Sequence, residues 1–260
     1  MNPDTKFEVE EAESSPLKKV SFLPFKEFQN KFTDELFLKS ALNEYDFKWL
    51  EQVFAGSEED SRCIIEENTL YFFTDKPLNH GFNIPLIFPG KSFDVNENHC
   101  HSMLESSVLK GSVIRTMWLS KEWKSLFNWC YFADGAKGYC FGYRFEDIKK
   151  AICQKLSSFK GNFVCVYGSI DYGDHSNKEL FPFPAQQLRN YVDSVFLKNE
   201  IYKPMSGFAF LILGIDSKIH GLESIAVKPV SCSVVVKGET ESEIEMNILG
   251  LEDLEDRQPI

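Results

Sequence analysis

The chain has no CxxC pair, no GxGxxG or GxxxxGK[ST] loop, and no HExxH pair anywhere in its 260 residues. Those patterns cradle phosphates or hold zinc, so the common dinucleotide, P-loop and metalloprotease classes are excluded. No apolar run reaches the roughly 18 residues that a membrane-spanning helix needs, so no membrane span is expected. Basic residues are scarce, 28 Lys and Arg against 39 Asp and Glu. This argues against general nucleic-acid binding, which requires a basic surface, but not against a local nucleotide pocket. The seven cysteines (Cys63, Cys100, Cys130, Cys140, Cys153, Cys165 and Cys232) are odd in number, widely spaced and mostly within apolar runs. That usage suits reduced thiols in a cytoplasmic protein. The opening MNPDTKFEVEEAESS is too acidic for a signal peptide.

The acidity is concentrated. Between Glu239 and Arg257 there are eight acids and one base, a net of −7 out of −11 for the chain. What remains is a mildly acidic body rich in phenylalanine, with 24 copies, and 43% hydrophobic, enough for a sizeable core. No Pro/Gly/Ser linker divides it. The expectation is one α+β domain over residues 21–250, a mixed and mostly antiparallel sheet with flanking helices, after a polar lead at 1–20 and before an acidic tail at 251–260.

Strands are expected at Thr69–Thr74, Ser112–Leu119, Gly138–Arg144, Asn162–Tyr167, Phe208–Leu213, Ser224–Val227 and Ser231–Val236, from β-branched and aromatic runs. An edge strand is expected at Ile244–Ile248. Helical spacing marks 34–54, 58–67, 146–158 and a stretch after Pro184, with a short helix at Phe25–Phe32. Residues 76–100, with Pro85, Pro89 and Gly90, are expected as an irregular loop over a sheet edge.

The stretch from Ser112 to Tyr143 organises the rest. It holds Trp118, Trp123 and Trp129 and reads as strand, short helix, glycine turn, strand. Ser120 stands where a helix N-cap belongs. Trp123, Leu126, Phe127 and Cys130 follow at helical spacing, and Gly135 suits a left-handed helix end. Two readings stay open. The aromatics form the core, as such stripes usually do, or Trp129, Tyr131 and Phe132 line a pocket for a flat ligand such as a base or nicotinamide.

Other constellations are weaker. His99, Cys100 and His101 supply too few ligands for a structural zinc site unless Cys63 or His80 joins them. Cys100 with His175 or His220 as base is a conceivable nucleophile pair. Asp171, Asp174 and His175 have the composition of an ordinary polar turn. No resident metal is expected.

Four segments resemble a mainly bacterial family, the domain of unknown function numbered twenty-nine seventy-one. They are LYFFTDKPLNHGF with Asn79, Ser120 followed by WCYFADGAKG, VFLKNEIY, and IAVKPVSCSVVVKG. Together they span roughly residues 45 to 250. The departures are specific. The family has His-Tyr where Tyr131 and Phe132 stand, and Asp-Pro where His80 and Gly81 stand. It has two glutamates and an arginine where Met205, Gly207 and Ala209 stand.

The family layout is similar to ADP-ribosyltransferases that use NAD, a likeness of fold only. The resemblance implies a cytoplasmic bacterial protein with a degenerate site, acting by binding a nucleotide-like ligand or a protein partner. The alternative it implies is an active transferase using NAD, in phage defence or as a toxin or host-directed effector. Either way the ligand-binding candidates are Arg115, Ser120, Trp129, Tyr131 and Asn79, with the catalytic residues unassigned. Glu241, Glu243 and Glu245 form the Glu-x-Glu pattern of some transferases. Charged alternation of that kind also protects an open sheet edge.

Overall fold

The computed structural model describes residues 20–31, 69–75, 83–87, 113–159, 162–173, 192–215, 222–237 and 244–249. Asn79, the group around Cys100, the helices expected at 34–54 and 58–67, His175, His220 and residues 250–260 lie outside them.

The fold is α+β. One sheet joins β1 (Val20–Pro24), β2 (Thr69–Thr74), β4 (Val113–Ser120), β5 (Tyr139–Arg144), β6 (Asn162–Ser169), β9 (Gly207–Ile215), β11 (Ser231–Lys237) and β12 (Ile244–Leu249). Its order is β1-β6-β9-β4-β2-β5-β11-β12. Only β1 and β6 pair in parallel, and every other neighbouring pair is antiparallel. Two small pairs flank the sheet, β3 (Asn83–Pro85) with β10 (Ser224–Ala226) and β7 (Asp171–Tyr172) with β8 (Leu197–Lys198).

The central strands β6 and β9 are apolar without interruption because both their faces are covered. Successive side chains point to opposite faces. Phe163, Cys165 and Tyr167 of β6 join Phe208, Phe210 and Ile212 of β9 in one core, while Val164, Val166, Ala209, Leu211 and Leu213 join another. The larger core lies under α3 (Phe145–Ser157), whose Phe145, Ile148, Ile152 and Leu156 recur at helical spacing. Glu146 and Asp147 in its first turn and Lys155 in its last suit the helix dipole. The centre of this core is aromatic, with the Phe145 ring 5.3 Å from Tyr167 and 5.7 Å from Phe210.

The opposite face carries two smaller cores. Over β1, β6 and β9 sit α1 (Phe25–Lys31) and the helical residues 192–196, with Phe25 stacked on Phe196 at 4.5 Å. Over β2 and β5 sits α2 (Leu126–Phe132), around Phe73, Trp129, Ala133 and Cys140.

The loop expected over a sheet edge behaves differently. Residues 83–85 are a strand, and Ile87 exchanges both backbone hydrogen bonds with Thr116 of β4, at 2.8 and 2.9 Å. It enters where β2 splays from β4, which it meets through the single pair Tyr71 and Ser120. The expected edge strand at Ile244–Ile248 is β12. Among the described residues no helix is long and apolar enough to cross a membrane.

Candidate functional site

β4 ends at Ser120, directly opposite Gly207, where β9 begins. The chain before β9 forms a 3-10 turn, Glu200–Met205. Asn199 opens it by accepting from the Ile201 amide at 3.0 Å, and Ser206 closes it in the left-handed region, φ 47°. The last carbonyls of such a turn lack partners within it. The β4–α2 segment supplies donors. Ser125 Oγ donates to the Pro204 carbonyl at 2.7 Å, and Asn128 Nδ2 to the Met205 carbonyl at 2.9 Å. Ser120 Oγ lies 2.9 Å from the Met205 carbonyl and 3.0 Å from that of Glu122, and its single proton serves one at a time. It accepts from Asn128 Nδ2 and from the Glu122 amide, both at 3.0 Å. The Lys121 amide donates to Ser206 at 2.8 Å, and Tyr172 Oη accepts from the Gly207 amide at 2.7 Å. These groups form a buried latch whose members satisfy one another.

The N-cap of α2 is Ser125, which accepts from the Asn128 amide at 3.3 Å; Ser120 is the last strand residue, so the helix starts later than its sequence suggests. Trp129 points inward, 1% exposed. Its Nε1 donates to the Trp123 carbonyl at 2.8 Å, and its ring meets Phe73 edge-on at 5.3 Å.

With Asn128 buried beside Trp129, α2 sets an amide on its inward side and leaves several apolar side chains outside. Leu126 is 70% exposed and Tyr131 72%, with Phe132 exposed beside them. Phe127 stacks on Tyr131 at 4.3 Å. Ile201, on the 3-10 turn packed against α2, is 68% exposed. These exposed apolar side chains have Lys121, Lys124, Lys137 and Lys203 near them in the sequence.

The sequence candidates do not converge. Arg115 faces the other side of β4 from Ser120, as odd and even strand positions must. Its Nε donates to the Leu222 carbonyl at 3.0 Å. Trp129 and Tyr131 lie on opposite sides of α2, so they do not wall one pocket. Asn79 is outside the described residues. Gly207 and Ala209 are buried in β9.

Burial raises the thiols of Cys140, Cys165 and Cys232 out of the nucleophilic range, the last to about 12. Cys130 is exposed. Among the described residues no cluster of His, Cys, Asp and Glu could hold a metal. Sequence reasoning missed Ser125 and Asn128. The available signal was an amide set between Phe127 and Trp129, where only a partner carbonyl justifies burying it.

Asn128→Ala is expected to lose about 1–3 kcal/mol, the cost of stripping the Met205 carbonyl and Ser120 Oγ of a donor. Urea unfolding followed by tryptophan fluorescence measures it. Asn128→Asp is expected to be worse, because a carboxylate then faces the Met205 carbonyl.

Compared with protein-family models, curated proteins and solved structures, the chain finds no match in any of the three.

Proposed function

We propose that the chain is a binding protein that docks a protein partner through the outward face of α2 and the adjoining Ile201. The observation that carries this is α2 itself, which buries an amide and leaves Leu126, Tyr131 and Phe132 exposed. Singly scattered exposed apolar residues need no explanation, but three on one seven-residue helix, with Tyr131 stacked on Phe127, point to an interaction surface. Tyrosine is among the residues that dominate binding energy at interfaces. The hydrogen bonds beneath the patch hold elements together, so the latch serves the fold and the patch serves recognition.

A nucleotide-like ligand sandwiched by Trp129 and Tyr131 finds no support, since the two rings point apart. The segments that resemble the bacterial family, WCYFADGAKG and VFLKNEIY, both lie at this junction. A cytoplasmic bacterial protein with an eroded site that acts by binding is therefore consistent with the proposal.

The test is a benzophenone photo-crosslinker in place of Tyr131, irradiated in the cells of origin, with the same group in place of exposed Lys150 on α3 as control. The expected result is a discrete adduct from position 131 that Leu126→Ser weakens, and none from position 150. Equal adducts from both, or none from 131, would contradict the proposal.

A further inference from the structure

We infer that the partner docked on α2 is a protein segment that sets carboxylates around an apolar side chain; this rests on the outward face of α2 being a docking surface. What points to it is where the lysines stand. The Lys121 amide donates to the Ser206 carbonyl at 2.8 Å, which fixes this residue beside the latch. Lys124 directly precedes the cap Ser125, and its Nζ stands 5.2 Å over the Trp123 ring. At the far end of the helix, the Lys137 amide donates to the Asp134 carbonyl at 3.3 Å, in the turn that leaves α2. Lys203 lies on the 3-10 turn packed against α2, where Glu200 already holds it at 4.0 Å. Among the described residues Lys121, Lys124 and Lys137 have no carboxylate partner.

The sign of the charge also reverses here. The chain carries 28 Lys and Arg against 39 Asp and Glu, but residues 113–159, which include α2, carry eight against four. Glu122 and Asp134 are the only carboxylates from 120 to 137, against three lysines. Lys124 and Lys137 bracket the exposed Leu126, Tyr131 and Phe132 in the chain. Apolar side chains with charged ones at their margin are the anatomy of a protein interface. A twofold contact between copies uses the same surface on both, so it would set these lysines against one another. A phosphate backbone answers the lysines but offers nothing apolar to Leu126. An acidic protein segment with an apolar anchor answers both. Charges at the margin of an interface act mainly on encounter and on salt dependence.

The experiment irradiates the full chain, with the benzophenone group in place of Tyr131, in lysate of the cells of origin, and maps the adduct by mass spectrometry. The expected adduct ends on a segment richer in Asp and Glu than in Lys and Arg. Its yield falls several-fold when salt rises from about 0.1 M to about 1 M, because screening shortens from about 10 Å to about 3 Å. Lys121→Glu, Lys124→Glu and Lys137→Glu together lower it likewise at the lower salt, whereas Lys121→Arg, Lys124→Arg and Lys137→Arg together preserve it. The salt comparison needs no further substitution, so it decides even where a variant fails to fold. An adduct that Leu126→Ser weakens but that neither salt nor charge reversal changes would overturn the acidic partner and leave the docking reading intact. An adduct of twice the chain mass, or one that nuclease digests, would assign the face to a second copy or to nucleic acid and overturn the inference. No adduct at either salt would overturn the docking reading with it.

Discussion

Trp129→Ala is expected to remove about 3–5 kcal/mol of unfolding free energy, the range for truncating a large buried aromatic. Three losses combine. The indole is 1% exposed, and its removal opens a cavity in the small core shared with Phe73, Ala133 and Cys140. The edge-on contact with Phe73 goes with it. The Trp123 carbonyl also loses its donor from the ring. Because native domains are stable by only about 5–15 kcal/mol, this single change takes a large share of the total. Trp129→Phe fills most of the volume but lacks the N–H, so its smaller deficit isolates cavity from hydrogen bond. Chemical denaturation of the three chains provides the comparison.

Gly138→Ala is expected to be almost as damaging, by a different route. A Cβ at this position overlaps the backbone carbonyl oxygen of Thr74 and sits 3.0 Å from the Ala133 Cα. Neither neighbour can yield cheaply. Thr74 is paired with Tyr139 across β2 and β5, and the Gly138 amide donates to the Ala133 carbonyl at 2.8 Å. Overpacking costs about 1–3 kcal/mol where side chains can adjust, and the upper end or beyond is expected where only backbone is available.

Gly135→Ala is the control. It has nothing within 4 Å but a φ of 62°, so only the left-handed penalty of about 1–2 kcal/mol applies. Asp134 and Ala136, φ 48° and 70°, already bear that penalty on either side, which makes this turn the most strained backbone among the described residues. A melting temperature lower for Gly138→Ala than for Gly135→Ala is the predicted order.

Much of this architecture is legible in the residues alone. The runs FVCVY and FAFLIL read as buried strands because their apolar character has no polar alternation. Ile148, Ile152 and Leu156 read as one helix face, and α3 places them under the sheet. Pairing was less accessible. That β1 lies parallel to β6, or that Ile87 enters beside Thr116, depends on contacts between distant segments that no local pattern encodes.

The site shows the same limit. Ser120 and Ser125 are equally good caps by composition, and the choice falls to Ser125 because Ser120 is held by the Met205 carbonyl, 85 residues away. The burial of an amide on α2 has the same cause. Asn128 turns inward to a carbonyl 77 residues later, together with Trp129, and Leu126 and Tyr131 are left outside. Periodicity reports that a helix has two faces, but only tertiary partners decide which face is buried.

One face of α2 holds the fold, and the fold does not need the other. Urea unfolding of the Leu126→Ser, Tyr131→Ser double variant tests this most directly. Surface changes away from packed features usually stay within about 0.5 kcal/mol per site. The prediction is an unfolding free energy within about 1 kcal/mol of the parent chain, far from the loss expected of Trp129→Ala. A loss of several kcal/mol would show that these side chains are packed in the native state, and the docking surface would have to be sought elsewhere.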